Sequence, residues 1–279
     1  MMLCTAVCPV FCGAQQLQVP ASAVAGQDLN LTTAGSGRGS FYLLGPGISR
    51  KTEVDLGEPI DLAGQDLRNA GEYTAVLCAG SCQSARFFVI AAKPSSLTFL
   101  VHPSRVPVAQ GDAISGVAFS FDPYHNLTRS PLNIRFQLGF KGTALWARTV
   151  RTQNGVAWFR ANSWKSAGPV QVAASSDQFS TTRVVQQVAS DPCNLRITGQ
   201  HTRTGILVQT EPVHDCAGNV VSDGTVITFT ATGADGKATV DAPIKQGVAS
   251  AQMKSAGPTV ISVASGVVMG NEIHLGAQP

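Results

Sequence analysis

The pentapeptide "KSAGP" occurs at residues 165–169 and again at 254–258, 89 positions further on. The match widens around it. "NGVAWFRANSWKSAGPVQVAASS" starts at Asn154 and "QGVASAQMKSAGPTVISVASG" at Gln246. Upstream, "FDPYHNLTRSPLNIRFQL" and "HDCAGNVVSDGTVITFTA" share an Asp-x3-Asn frame, Asp122/Asn126 in one and Asp215/Asn219 in the other. Each copy reads as strand, Asp-x3-Asn turn, strand, Gly-Val-Ala strand, corner, strand. A repeat of about 90 residues is too long for a solenoid unit and suits one small β-sandwich. The corner has a backbone reason. Gly168 and Gly257 can take positive φ at the turn, and Pro169 and Pro258 fix φ as the next strand begins. After it, Val170 and Val172 alternate with Gln171, and Val260 opens the matching strand, a pattern with one buried face.

Composition agrees. The 279 residues suffice for two or three cores. Only 13% are charged, against about 25% in ordinary domains. The 28 glycines punctuate short alternating runs, and no long stretch has helical apolar spacing. The expected fold class is all-β.

A divergent third copy precedes the two. "LRNAGEYTAVLC", residues 67–78, occupies the corner's place. Its Asn69-Ala70-Gly71-Glu72-Tyr73-Thr74-Ala75 resembles the immunoglobulin motif Asp-x-Gly-x-Tyr-x-Cys. The resemblance implies a tyrosine corner at Tyr73. Asn69 replaces Asp and Ala75 replaces Cys, so it implies no B–F disulfide, with Leu29 and Leu31 on the facing strand. The later copies resemble bacterial Ig-like domains of the invasin/intimin kind over 95–188 and 191–275, with the divergent copy at 17–92. The expected organisation is a leader at 1–14 and three tandem Ig-like sandwiches at 15–93, 94–190 and 191–279. Stiff X-Pro linkers near Lys93-Pro94 and Asp191-Pro192 would make a semi-rigid rod.

The chain opens "MMLCTAVCPVFCGAQQ", uncharged and apolar to Cys12, with small Cys12 and Ala14 before Gln15. This reads as the remnant of a secretory signal lacking its positive region, the alternative being a cysteine-rich first strand. It is too short to span a bilayer. Of the seven cysteines, three fall there and four remain: Cys78, Cys82, Cys193 and Cys216. Cys78 and Cys82 flank a three-residue hairpin loop and should face each other. Cys193 precedes the first strand of the last copy and Cys216 follows its second, which brings them to the same rim. The rival is four free or metal-binding thiols, against which no Cys-x-x-Cys pair exists.

Enzyme signatures are absent: no Gly-x-Ser-x-Gly elbow, His-Glu-x-x-His or Walker loop occurs. No catalytic residue, cofactor or metal is expected. Glu211, His214 and Asp215 lie close in sequence, but Asp122 stands in the other copy without the His or Glu. The shared Asp therefore reads as an Asx turn. Charge is uneven. Residues 15–93 carry net −1, residues 95–190 carry +6 from nine Lys/Arg against three Asp/Glu, and residues 191–279 carry −2. Trp146, Trp158 and Trp164 all fall in the basic segment. Aligning the Gly-Val-Ala strands turns Trp158 and Arg160 outward and Ala157 and Phe159 inward. With Arg148 and Arg151 nearby, they are the expected ligand-binding residues; the alternative is that Trp158 packs under a loop or against a neighbouring domain.

Two functions from different classes follow. One is a non-enzymatic exported adhesion, binding or stalk module of the bacterial envelope, meeting an envelope or host protein. The other is a carbohydrate-binding accessory protein whose Trp-bearing middle copy takes a glycan. Both place the chain at the cell surface, outside the cell or in the periplasm. Nucleic acid is not an expected partner, because the basic excess is modest and the leader points to export.

Overall fold

The computed structural model describes residues 16–234, 236–254 and 257–276. The expected leader, with Cys4, Cys8 and Cys12, lies outside the described residues, as do Ser255 and Ala256 of the second corner. The fold is all-β: among the described residues there is no α-helix, only a 3-10 turn at Gly64–Leu67. No helix among them is long and apolar enough to cross a membrane. The chain divides into two compact units. The first is Met1–Thr98 with Ala118–Asn133 and Arg151–Ala157; the second is Phe99–Val117 with Ile134–Val150 and Trp158–Pro279.

In the first unit, period-two alternation selects the buried faces. Phe41 and Leu43 are buried in Arg38–Gly45; Tyr73, Ala75 and Leu77 are buried in Gly71–Ala79. A five-stranded sheet runs in the order Ser22–Val24, Ser81–Ile90, Gly71–Ala79, Arg38–Gly45, Ile48–Asp55. Its first pair is parallel and the rest antiparallel. Gln16–Gln18, Leu29–Ala34 and Ile60–Leu62 form a second sheet. Leu17, Leu31, Ile60 and Leu62 from that sheet share one core with Phe41, Leu43, Tyr73, Leu77 and Phe87. Tyr73 donates its hydroxyl to Asn69 O at 3.0 Å, closing a tyrosine corner, and stacks on Phe87. Burial pushes its pKa up. Leu31 and Ala75 are both buried, so two apolar side chains occupy the positions where the immunoglobulin motif has cysteines.

The same strand order recurs further along the chain. Arg105–Pro107, Ser180–Val188, Gly168–Ser175, Asn133–Phe140 and Thr143–Arg151 form a five-stranded sheet, again with a parallel first pair. Val156–Ala161, Ile114–Phe121 and Ser96–His102 form a three-stranded one. Phe99, Phe136 and Phe159 are fully buried, with Phe136 and Phe159 centroids 4.7 Å apart. In the last part of the second unit, Gly236–Pro243, Val226–Gly233, Thr259–Ser265 and Val268–Leu275 form one sheet. Ile197–Thr202, Gly205–Thr210 and Ser250–Met253 form another. They share a core of Ile206, Val208, Phe229, Ile244, Met253, Ile261 and Val263.

Two details differ from the sequence reading. Val260 is only half-buried, because Thr259, Ile261 and Val263 take the inward positions; Thr259 is the residue that corresponds to Val170. The hairpin at Cys78 is also tighter than a three-residue loop. Ala79 pairs with Ser81 and leaves Gly80 alone at the tip.

Candidate functional site

The Asp-x3-Asn turns are polar clamps. Asp122 is 1% exposed. Its Oδ1 accepts from Tyr124 N and Asn126 N, and its Oδ2 from Ala92 N and Asn126 Nδ2, each at 2.9 Å. The Asn126 carboxamide, held by that carboxylate, reaches the "RNAGEY" corner. Nδ2 donates to Arg68 O at 2.7 Å and Oδ1 accepts from Ala70 N at 2.8 Å. The second turn repeats the pattern. Asp215, 4% exposed, accepts from Ala217 N, Asn219 N, Ser190 N and Asn219 Nδ2 at 2.8–3.0 Å. Asn219 Nδ2 then donates to Lys165 O and Oδ1 accepts from Ala167 N, both at 2.8 Å.

These contacts give the first pentapeptide, 165–169, and the divergent corner at 68–70 a shared role. The corner is a backbone shape offering one C=O and one N–H two residues apart, which a carboxamide can grip at both ends. Gly168 adopts φ +137°, where a side chain would be strained, and its Cβ would press on the Phe140 ring. Sequence reasoning took the corner and the Asp turn as separate structural devices and missed that the Asn joins them. The available signal was their co-occurrence: the corners at 67–73 and 165–169 are each followed by an Asp-x3-Asn turn, Asp122/Asn126 and Asp215/Asn219.

In this arrangement both carboxylates are occupied as hydrogen-bond acceptors. Burial pushes both upward, but hydrogen bonds outweigh it and hold both below the ordinary value of 3.8. For Asp122 these come from Asn126, Ala92 and Tyr124; for Asp215 from Asn219, Ser190 and Ala217. With four donors on each carboxylate, no lone pair is left for a cation. His214 turns away, its Nδ1 3.0 Å from Pro212 O. Among the described residues no three His, Cys, Asp or Glu are grouped for a metal.

Both cysteine pairs are joined. Cys78 and Cys82 are directly opposed across the hairpin with Cα atoms 4.1 Å apart. Cys193 bonds Cys216, Cα atoms 5.0 Å apart, beside the two-residue ladder of Pro192–Cys193 with His214–Asp215.

Trp158 points outward and is 64% exposed, with Ala157 and Phe159 buried on the other face. It borders an open apolar groove of about 410 Å³ with Leu100, Val101, Val117 and Arg160. Arg148 and Arg151 are exposed but line neither this groove nor the next cavity. Arg160 also lines a second cleft, of about 250 Å³, shared with Trp146, Trp164, Asp112 and Asn162. Here Trp146 packs on Phe159 at 5.2 Å, and Trp164 is 44% exposed. Arg160 thus borders both recesses of the basic segment.

The fold is an Ig-like β-sandwich fold, similar to that of bacterial proteins of known structure. FdeC, an Escherichia coli adhesin, superposes with a TM-score of 0.63 at 13% identity, over 95% of this chain and 96% of that one. Invasin, a bacterial integrin-binding protein, superposes with a TM-score of 0.53 at 12% identity, over 95% of this chain and 60% of that one. No protein-family model matches the chain, and no curated protein matches it. At these identities the likeness establishes the fold.

Proposed function

We propose that the chain is a non-enzymatic exported protein, an adhesion, binding or stalk module of the bacterial envelope. In this reading it is built of three tandem Ig-like sandwiches at 15–93, 94–190 and 191–279. The observation that carries it is the duplicated clamp. A carboxamide gripping the corner of the preceding repeat fixes successive repeats by polar contacts whose donors and acceptors are all satisfied, which suits a part that must hold its binding loops at set places. Two disulfides support export, since such bonds persist outside reducing compartments. The fold shared with an adhesin and with an integrin-binding protein supports a surface role and an envelope or host partner.

The test has two parts. Intact mass of the exported chain, with and without reduction, should show a start at Gln15 and no free thiols among the remaining four cysteines. Particles coated with the chain should adhere to epithelial cells more than particles coated with the reduced, alkylated protein. A reduced chain retaining Met1 would remove the export reading. Adhesion indifferent to unfolding would remove the binding one.

A second reading, glycan binding by the middle repeat, is favoured by one observation: the cleft that gathers Trp146, Trp164 and Arg160.

A further inference from the structure

That cleft is a local elaboration of an otherwise repeated frame. Gly155 to Lys165 spans ten positions, whereas Gly247 to Lys254 spans seven. Ala161 and Met253 are the matching last inward residues of their strands, and both are buried. The additional residues are therefore Asn162, Ser163 and Trp164, and all three line the cleft. At the corresponding place in the last repeat, Ala231, Gly233, Lys237 and Thr259 border only about 130 Å³, with no aromatic among the described residues. An insertion that creates a recess twice the size and adds a tryptophan is where a repeated scaffold gains specificity.

The wall is held rigid. Trp164 donates its N–H to Gln187 Oε1 at 2.5 Å, and its C=O accepts from Ala109 N at 2.9 Å. Gln187 is 1% exposed and donates its Nε2 to Ser166 O at 3.0 Å, so a buried carboxamide pins the segment from behind. The next carbonyl, of Lys165, is gripped by Asn219. Asn162 Oδ1 accepts from Asp112 N at 2.9 Å, leaving Nδ2 to donate. Asp112 sits at φ +50°, a conformation uncommon for a residue with a side chain. Among the described residues Arg160 has no carboxylate within ion-pair distance and no hydrogen-bond acceptor. Pre-organised aromatic walls with a few convergent polar groups are the make-up of a small-ligand site.

We propose that this cleft binds one carboxylated sugar residue, a uronic or sialic acid unit of a glycan. The Arg160 guanidinium fork takes the carboxylate, Asn162 Nδ2 and the Asp112 carboxylate take ring hydroxyls, and Trp146 and Trp164 wall the apolar ring face. The volume falls below the roughly 300–1,000 Å³ of sites for drug-sized ligands and fits a single ring. The +6 balance of residues 95–190 favours an acidic sugar over a neutral one. The inference rests on the reading of the chain as a binding module and names what this part of it binds.

The experiment is titration of the full chain, followed by tryptophan fluorescence and saturation-transfer NMR. The probes are methyl β-D-glucuronide, the methyl glycoside of N-acetylneuraminic acid, neutral methyl β-D-glucoside, and acetate as the carboxylate alone. One acidic sugar should bind saturably and about tenfold more tightly than the glucoside, with acetate silent at the same concentration. Arg160→Gln should bring the acidic sugar down to the neutral level. Trp164→Ala should remove both, with circular dichroism confirming the fold. Arg183→Gln, matched in charge and on the Ser180–Val188 strand, should change nothing. Equal affinity for acidic and neutral sugars, equal losses in Arg160→Gln and Arg183→Gln, binding of acetate as tight as of the sugars, or no saturable binding of either acid would overturn the proposal. Cell adhesion without sugar binding overturns the cleft alone; sugar binding without adhesion overturns the adhesion reading alone.

Discussion

At the first clamp the turn carries Tyr124 between Asp122 and Asn126; at the second, Ala217 holds that position between Asp215 and Asn219. Tyr124 packs against the first core, and Gly26, at φ +76°, lies so close that an added Cβ would be 1.9 Å from the Tyr124 hydroxyl. The Arg68 guanidinium lies 5.9 Å from the centre of the tyrosine ring. The second clamp has no such plug. Its turn is instead tied by Cys193–Cys216. One polar grip thus has two kinds of backing, an aromatic side chain in a glycine notch and a covalent bond. The comparison teaches that the carboxylate–carboxamide pair is the invariant device and the backing is interchangeable. It also makes the clamps unequal toward chemistry: reduction should touch only the second.

The largest effect should come from Asp122→Ala. It strips acceptors from the N–H groups of Ala92, Tyr124 and Asn126 and frees the Asn126 carboxamide. Leaving buried donors unpaired should cost about 3–4 kcal/mol, read as a lower urea midpoint for the transition containing Tyr73. Asp215→Ala removes an equivalent set, but the disulfide still holds the turn, so its cost should be smaller in oxidised protein and grow on reduction. Equal costs under both redox conditions would break the claim that the disulfide backs the clamp.

Replacing Cys193 and Cys216 by serine should lower stability by about 3 kcal/mol under the loop-entropy account. Native-state hydrogen exchange should place the loss around Lys165, Ala167 and Ser190, with Ala70 and Ala92 unchanged. Faster exchange at Ala70 as well would mean that the two clamps are not independent.

Asn126→Ala and Asn219→Ala keep the buried carboxylate but remove the grip on the corner together with the carboxamide's own bond to that carboxylate. Each should cost about 1–2 kcal/mol. Protease cleavage near 91–95 or 189–192 should accelerate, and more beside the second clamp, which lacks the aromatic plug. The reverse order would show Tyr124 to be filler and not support.

Much of this was legible in the sequence, for reasons of period and spacing. The alternation of Val170 and Val172 with Gln171 marks one buried face, and the Gly-Val-Ala register correctly turned Trp158 out and Phe159 in. Both cysteine pairs followed from where hairpin and rim positions meet. The Asn grip was hidden because its partners are main-chain atoms: Lys165 O and Ala167 N carry no side-chain signature, and only the constancy of the corner's shape betrays them. The Trp146–Trp164 cleft was hidden because its walls come from strands that the alignment treats separately. The difference of ten against seven positions between Gly and Lys was visible, but its meaning depends on Gln187 and Ala109, residues distant in sequence.

The smallest effect is on pH, and it tests the clamps' shared chemistry. Both carboxyls are held below 3.8 in the folded chain, because the hydrogen bonds they accept favour the charged form more than burial disfavours it. A group whose folded pKa is depressed contributes stability above its unfolded value, and that contribution fades as pH falls through the folded one. The urea midpoint should therefore be flat from neutral pH down to about the ordinary carboxylate range and decline below it. Asp122→Asn cannot accept at both oxygens, so it should start lower at neutral pH and lose less on acidification, the two curves converging in acid. Asp215→Asn should converge in the same way, with a smaller gap while the disulfide is intact. Parallel curves that never converge would mean that the carboxylate's charge contributes nothing and that shape alone makes the clamp.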